Sequence, residues 1–90
     1  MTTTRFTYQH LVDLVGGDQE LITRLIEEGE IEVRDGGVAS VDVDRVLIAR
    51  TLVRELEIDW PGVEVILRLV EELALARRRI AELERAKRDE

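Results

Sequence analysis

The tetrapeptide Asp59-Trp60-Pro61-Gly62 constrains the fold of this chain more than any other segment, and it holds the only Trp and the only Pro among 90 residues. Proline has no backbone N–H, so it suits the first turn of a helix and not the interior. Asp59 or Trp60 stands where a helix cap belongs, and the Asp59 carboxylate is the better acceptor for the unpaired N–H groups of a first turn. A helix therefore starts here, and the chain divides into a first domain, 1–58, and a C-terminal helix with a frayed end, 59–90. Trp60 is too large to be left in water and is expected to pack and fix the direction of that helix.

A chain of this length makes one small domain, or a small domain with an extension, and gains stability from a partner. It has no Cys and one His, His10, so disulfides and the usual Cys/His zinc sites are excluded. No apolar run approaches the ~18 residues of a membrane span, and Met1-Thr2-Thr3-Thr4-Arg5 lacks the apolar stretch of a signal peptide. A cytoplasmic, soluble protein is expected. The net charge is −7, and residues 1–45 hold four Arg against ten Asp and Glu, a balance of −6. Such a surface repels phosphate backbones and suits a basic protein surface.

Periodicity places the elements. Thr7 caps a short helix over 8–15 that carries Leu11, Val12, Leu14 and Val15 and stops at Gly16-Gly17. Asp18 caps a second helix, with Leu21, Ile22, Leu25 and Ile26 on one face, that ends at Gly29. Two short helices across a Gly-containing turn make a helix-turn-helix unit. Residues 31–34 and 38–41 flank Asp35-Gly36-Gly37, a hairpin signal, and a small hairpin in this position is a wing. Asp42 is expected to cap a third helix over about 43–56. The fold class is mainly α, a winged helix-turn-helix head followed by a long helix.

That last helix, from about Pro61 to Ala86, would be roughly 40 Å long. Ile66, Leu73 and Ile80 fall seven apart, and Leu69, Ala76 and Leu83 form the companion set. This is an a/d heptad seam over about three repeats, and a monomer of this size cannot cover it. A homodimer joined through these helices is expected, with the orientation of the helices left open.

With these elements in order, the layout resembles the MerR-like winged-helix group. Arg5-Phe6-Thr7-Tyr8 with Leu11 is similar to the group's opening turn and first helix, and Glu27-Glu28-Gly29-Glu30-Ile31 to its helix exit. More narrowly, Leu56-Glu57-Ile58-Asp59-Trp60-Pro61-Gly62-Val63-Glu64-Val65 resembles the same stretch of CbpM-type chaperone modulators. The resemblance implies a non-catalytic regulator that binds the J-domain of a DnaJ-like co-chaperone and blocks its action on Hsp70. DNA-binding MerR proteins carry an Arg-Tyr-Tyr-like stretch in the second helix and Arg with an aromatic in the wing. Here the corresponding segments read Thr23-Arg24-Leu25 and Asp35-Gly36-Gly37-Val38-Ala39-Ser40. A MerR-type transcriptional regulator is the alternative reading, and a structural dimerisation module a third.

Glu20, Arg24, Glu27 and Glu28 line the outward face of the second helix, and Glu30, Glu32 and Asp35 would extend it into an acidic patch. The resemblance implies that this face docks the basic helix of a J-domain; the bland alternative is an ordinary solvated face. No catalytic residue is expected. His10 has Asp13 three residues on, which is ordinary helix-surface pairing and not a general base with its orienting acid. Gly36-Gly37 lacks the Gly-Lys-Ser/Thr of a phosphate loop. Arg77-Arg78-Arg79 is flanked by Glu71, Glu72, Glu82 and Glu84 and reads as ion pairing, not nucleic-acid binding. No cofactor, metal or membrane partner is expected.

Overall fold

The computed structural model describes residues 5–89. It is mainly helical, with a small three-stranded antiparallel sheet and a long C-terminal helix. The elements follow as β1 (Arg5–Thr7), α1 (Tyr8–Leu14), α2 (Gln19–Glu27), β2 (Val33–Arg34), β3 (Gly37–Ala39), α3 (Ser40–Arg54) and α4 (Trp60–Arg88). They form two compact units that meet in sequence at Ile58 and Asp59.

In the first unit, side-chain and glycine punctuation sets where each helix begins and ends. The Thr7 hydroxyl accepts the His10 N–H at 3.1 Å and starts α1. Gly16 and Gly17 stop it at φ +65° and +84°, with the Gly17 N–H donating to the Val12 carbonyl and the Gly16 N–H to the Asp13 carbonyl. Gly29, at φ +74°, ends α2 in the same way, and the Glu30 N–H reaches back to the Leu25 carbonyl at 2.9 Å. Both ends are Schellman motifs, whose left-handed residue costs glycine nothing.

The sheet has the order β1-β3-β2. Arg34 pairs with Gly37, so the hairpin loop is the two residues Asp35 and Gly36, at φ +52° and +72°. Positive φ at both central residues is the type I′ turn, whose twist matches that of the strands. Gly37 is therefore the first residue of β3, not part of the turn. The Arg5 guanidinium clamps the hairpin, donating to the carbonyls of Gly37 at 2.9 Å and Arg34 at 3.1 Å. A Cβ on residue 37 would lie 3.1 Å from Arg5 Nε, a tight approach that the arginine side chain would relieve only by shifting.

The core of this unit collects Leu11, Val12 and Val15 from α1, Leu21, Ile22 and Leu25 from α2, Ile31 and Val38 from the hairpin region, and Val43, Val46, Ala49 and Leu52 from α3. Within α3, Val43, Val46, Ala49 and Leu52 recur every three residues, one turn of the helix, and share its inner face.

Several expectations are corrected here. Residues 5–7 form a strand and not only an opening turn, because Arg5, Phe6 and Thr7 pair with Ala39, Val38 and Gly37. The hairpin strands are shorter than 31–34 and 38–41, and Val41 belongs to α3. Asp42 does not cap that helix, which starts two residues earlier with Ala39 at the cap and no side-chain cap bond. The Asp42 carboxylate instead accepts the Glu32 N–H at 3.0 Å, tying the approach to β2 onto the first turn of α3. At its other end α3 stops at Arg54, not 56. The Ile58 N–H reaches the Leu52 carbonyl at 2.9 Å across Glu57, which takes the left-handed conformation at φ +52° without being glycine.

The second unit is α4. Its cap is Asp59, whose carboxylate accepts the Gly62 N–H at 3.2 Å, with Pro61 in the first turn. The helix runs to Arg88, past the end near Ala86 expected from the sequence, with Arg85, Lys87 and Arg88 in its last turn; Glu90, at the end expected to fray, lies outside the described residues. Cations there oppose the negative end of the helix dipole and stabilise it.

Candidate functional site

The Asp18 carboxylate positions α2 through both its oxygens. Oδ1 accepts the Leu21 N–H at 3.2 Å as the N-cap, and Oδ2 accepts from Arg54 at the end of α3 at 2.9 Å. The Arg54 hydrogen bond, helped by the backbone N–H donors and the guanidinium charge, holds the carboxyl below its ordinary value against the opposing effect of burial. Leu21, Ile22 and Leu25 are buried, so the opposite side of α2 is fixed as a solvent face.

On that face Gln19, Glu20, Thr23, Arg24, Glu27 and Glu28 line one shallow, open groove. The structure thus brings the four expected docking residues together. Glu20, Arg24, Glu27 and Glu28 are all exposed. Glu20 and Glu27 lie seven residues apart, two turns along one line, with Arg24 between them. Three carboxylates against one guanidinium give the groove an acidic balance. Glu27 and Glu28 stand at the C-terminal end of α2, where a carboxylate opposes the helix dipole by a few tenths of a kcal/mol each. Local helix stability does not call for acids there.

The expected extension of the patch narrows. The Glu30 carboxylate is engaged by Arg45 at 2.6 Å, and both side chains are less than one-fifth exposed. Glu32 is paired with Arg34. Asp35 sits in the hairpin turn. Periodicity marks which residues face outward, but it does not say which carboxylates are already answered by a base distant in sequence. Arg45 lies 15 residues from Glu30, and no local pattern links them.

His10 stacks on Phe6, with ring centroids 5.2 Å apart and planes 15° from parallel. Asp13 accepts from Gln9 at 3.0 Å, so the expected His10–Asp13 contact gives way to an i, i+4 pair with an amide. Among the described residues, no group of three or more His, Cys, Asp or Glu is placed to hold a metal ion. No described helix is long and apolar enough to cross a membrane.

On α4, Val63 and Leu67 are buried. Five of the six expected seam residues, Leu69, Leu73, Ala76, Ile80 and Leu83, are exposed, and Ile66 is half-buried. Leu69, Leu73, Ile80 and Leu83 each keep 51–55% of their surface in water. Val65, Val70 and Leu75 add further exposed apolar surface. Within the arginine run, Arg79 pairs with Glu82 one turn on at 3.6 Å. The junction residues Asp59, Trp60, Pro61 and Gly62 form the cap and first turn of α4. No protein-family model matches the chain, and no curated protein matches it.

Proposed function

We propose that this chain is a non-catalytic binding module, a MerR-like winged helix-turn-helix head that docks a basic helix and dimerises through α4. The partner that fits the reading is the J-domain of a DnaJ-like co-chaperone, held away from its Hsp70. The observation that carries it is the groove on α2, where Glu20, Glu27 and Glu28 occupy the helix face that a DNA-reading module would fill with bases. Acidic surfaces steer basic partners and make the encounter sensitive to salt. Affinity would then come from apolar contacts and inhibition from steric exclusion of the Hsp70. The likeness of the Asp59-Trp60-Pro61-Gly62 segment to chaperone modulators supports the same partner. The exposed seam of α4 supports the homodimer, since large apolar side chains left in water at heptad spacing suit a second helix.

The test is binding of a J-domain from the source organism at low ionic strength. E27K/E28K is expected to weaken binding by roughly tenfold or more, since each change replaces an attraction with a repulsion. Unchanged affinity at low salt would eliminate the groove as the docking site. The transcription-factor alternative draws on the element order of helix-turn-helix and hairpin. Tight binding of genomic DNA in a low-salt gel shift would favour it over the co-chaperone reading.

A further inference from the structure

We propose that an arginine face on the distal half of α4 docks on the α2 groove of a second copy of this chain. The proposal rests on the reading of that groove as a site for a basic helix, and it names a basic helix that the chain itself carries.

The face follows from helical geometry. Arg77, Arg78, Arg85 and Arg88 fall in a sector of α4 roughly 100° wide, whose other members are Ala74 and Ala81. All four arginines are exposed, and none of their guanidiniums has an ion pair or hydrogen bond among the described residues. The acids of this half, Glu82, Glu84 and Asp89, lie outside the sector, and Glu82 is paired with Arg79. Arg78 and Arg85 stand on the side of the helix away from Ile80 and Leu83, so pairing through the apolar seam leaves them in water.

Charge and spacing together name the occupant. The α2 groove has the opposite charge, with Glu20, Glu27 and Glu28 against Arg24. Glu20 and Glu27 are seven residues apart on α2, and Arg78 and Arg85 are seven apart on α4, about 10 Å in each case. Two helices laid face to face therefore set both pairs opposite each other at once. Arg24 then lies opposite Ala81 in one helix direction and opposite Glu82 in the other, so no two guanidiniums meet. Other polyanions suit the face less well. Phosphate backbones are repelled by a chain of net charge −7. An anionic membrane holds a helix by apolar side chains that sink among its headgroups, and this sector offers only Ala74 and Ala81.

Self-docking regulates the groove. It covers Glu20, Glu27 and Glu28, so a basic partner has to displace the second copy, and open grooves become scarce as the chain is concentrated. Exposed charges are screened by salt, so the docking weakens as ionic strength rises.

Directed cross-linking tests this, because the chain has no Cys of its own. Thr23 lines the groove, and Ala81 lies within the arginine face. T23C and A81C chains, mixed at low salt under mild oxidation, are expected to form a disulfide between chains. R78E/R85E in the A81C chain is expected to lower its yield about tenfold, and E20R/E27R in the T23C chain to restore it. No such disulfide, or a yield indifferent to these charges, overturns the proposal. An intrachain disulfide in T23C/A81C, formed in place of the link between chains, overturns the choice of a second copy. Retention of wild type but not R78E/R85E on duplex DNA or on phosphatidylglycerol vesicles gives the face to a phosphate surface and also overturns it. J-domain binding separates this proposal from the reading on which it rests. R78E/R85E is expected to bind the J-domain at least as tightly as wild type, and weaker binding overturns competition for the groove. A disulfide that forms as expected in a chain that binds no J-domain keeps self-docking and sinks the co-chaperone reading.

Discussion

Among the described residues, the head unit buries twelve apolar side chains and exposes four large ones, whereas α4 buries two and exposes seven. Both regions have similar building blocks, Leu, Val and Ile spaced by Glu and Arg. They differ in connectivity. Residues 5–58 turn back on themselves at Gly16-Gly17, Gly29 and Asp35-Gly36, so each apolar face meets another from the same chain. Residues 60–88 make no turn, and a straight helix cannot cover its own seam. The head covers most of its own apolar faces, and α4 leaves a row of apolar side chains in water.

The largest test of that contrast compares a core residue with a seam residue. Leu25→Ala, at a fully buried position, is expected to destabilise the head by about 2–5 kcal/mol. Leu83→Ala, at a half-exposed one, is expected to leave unfolding of the head unchanged and to lower dimer affinity. Urea unfolding followed over a range of protein concentrations separates the two. If both variants shift the transition equally, the division of labour is wrong.

Next in size is Leu73→Asp. A charge buried in the centre of the seam is expected to dissociate the dimer at micromolar concentration, read by light scattering, while circular dichroism of the head persists. Loss of head structure together with the dimer would show that the two regions do not fold separately.

Asp18 tests how the head holds α2. Asp18→Ala removes the cap and the Arg54 bond together, and is expected to cost about 1–2 kcal/mol. The pH dependence has a definite sign. The folded carboxyl titrates below its unfolded value of 3.8, so its contribution is fully present above that value and lost as pH falls through the folded pKa. Asn at position 18 can still cap, but it lacks the charge. The stability difference between wild type and Asp18→Asn is therefore expected to shrink on acidification below pH 3.8. A difference independent of pH would refute the role given to the Arg54 pair.

The smallest effect is expected at the end of α3. Glu57→Gly relieves the left-handed strain at φ +52° and is expected to raise stability by up to about 1 kcal/mol, measured as a higher midpoint in urea. No change there would mean that the greater freedom of glycine in the unfolded chain cancels the relief.

Legibility in the sequence varied with the range of the interaction. Thr7, Asp18 and Asp59 were readable as caps because each bonds an N–H three residues ahead. Asp42 carries the same signal and was misplaced, because its carboxylate is claimed by the Glu32 N–H ten residues earlier. Strand β1 was missed for a similar reason. Nothing near Arg5-Phe6-Thr7 announces a strand, and pairing with residues 37–39 creates it. At the candidate site, helical spacing placed Glu20, Arg24, Glu27 and Glu28 on one face, and the structure collects them in a groove. It could not show that Glu30 would be taken by Arg45.

By itself, then, the amino-acid order determined where α1, α2 and α4 start and where α1 and α2 stop, which faces of α2 and α4 are apolar, and that the first turn of α4 lies at Pro61. These follow from backbone groups and side chains within a few residues of one another. Tertiary structure alone decided that residues 5–7 join a sheet, that Asp42 serves a neighbouring segment, and that Glu30 is taken by Arg45. Each of those outcomes depends on a partner ten or more residues away, which becomes available only when the chain has folded back on itself.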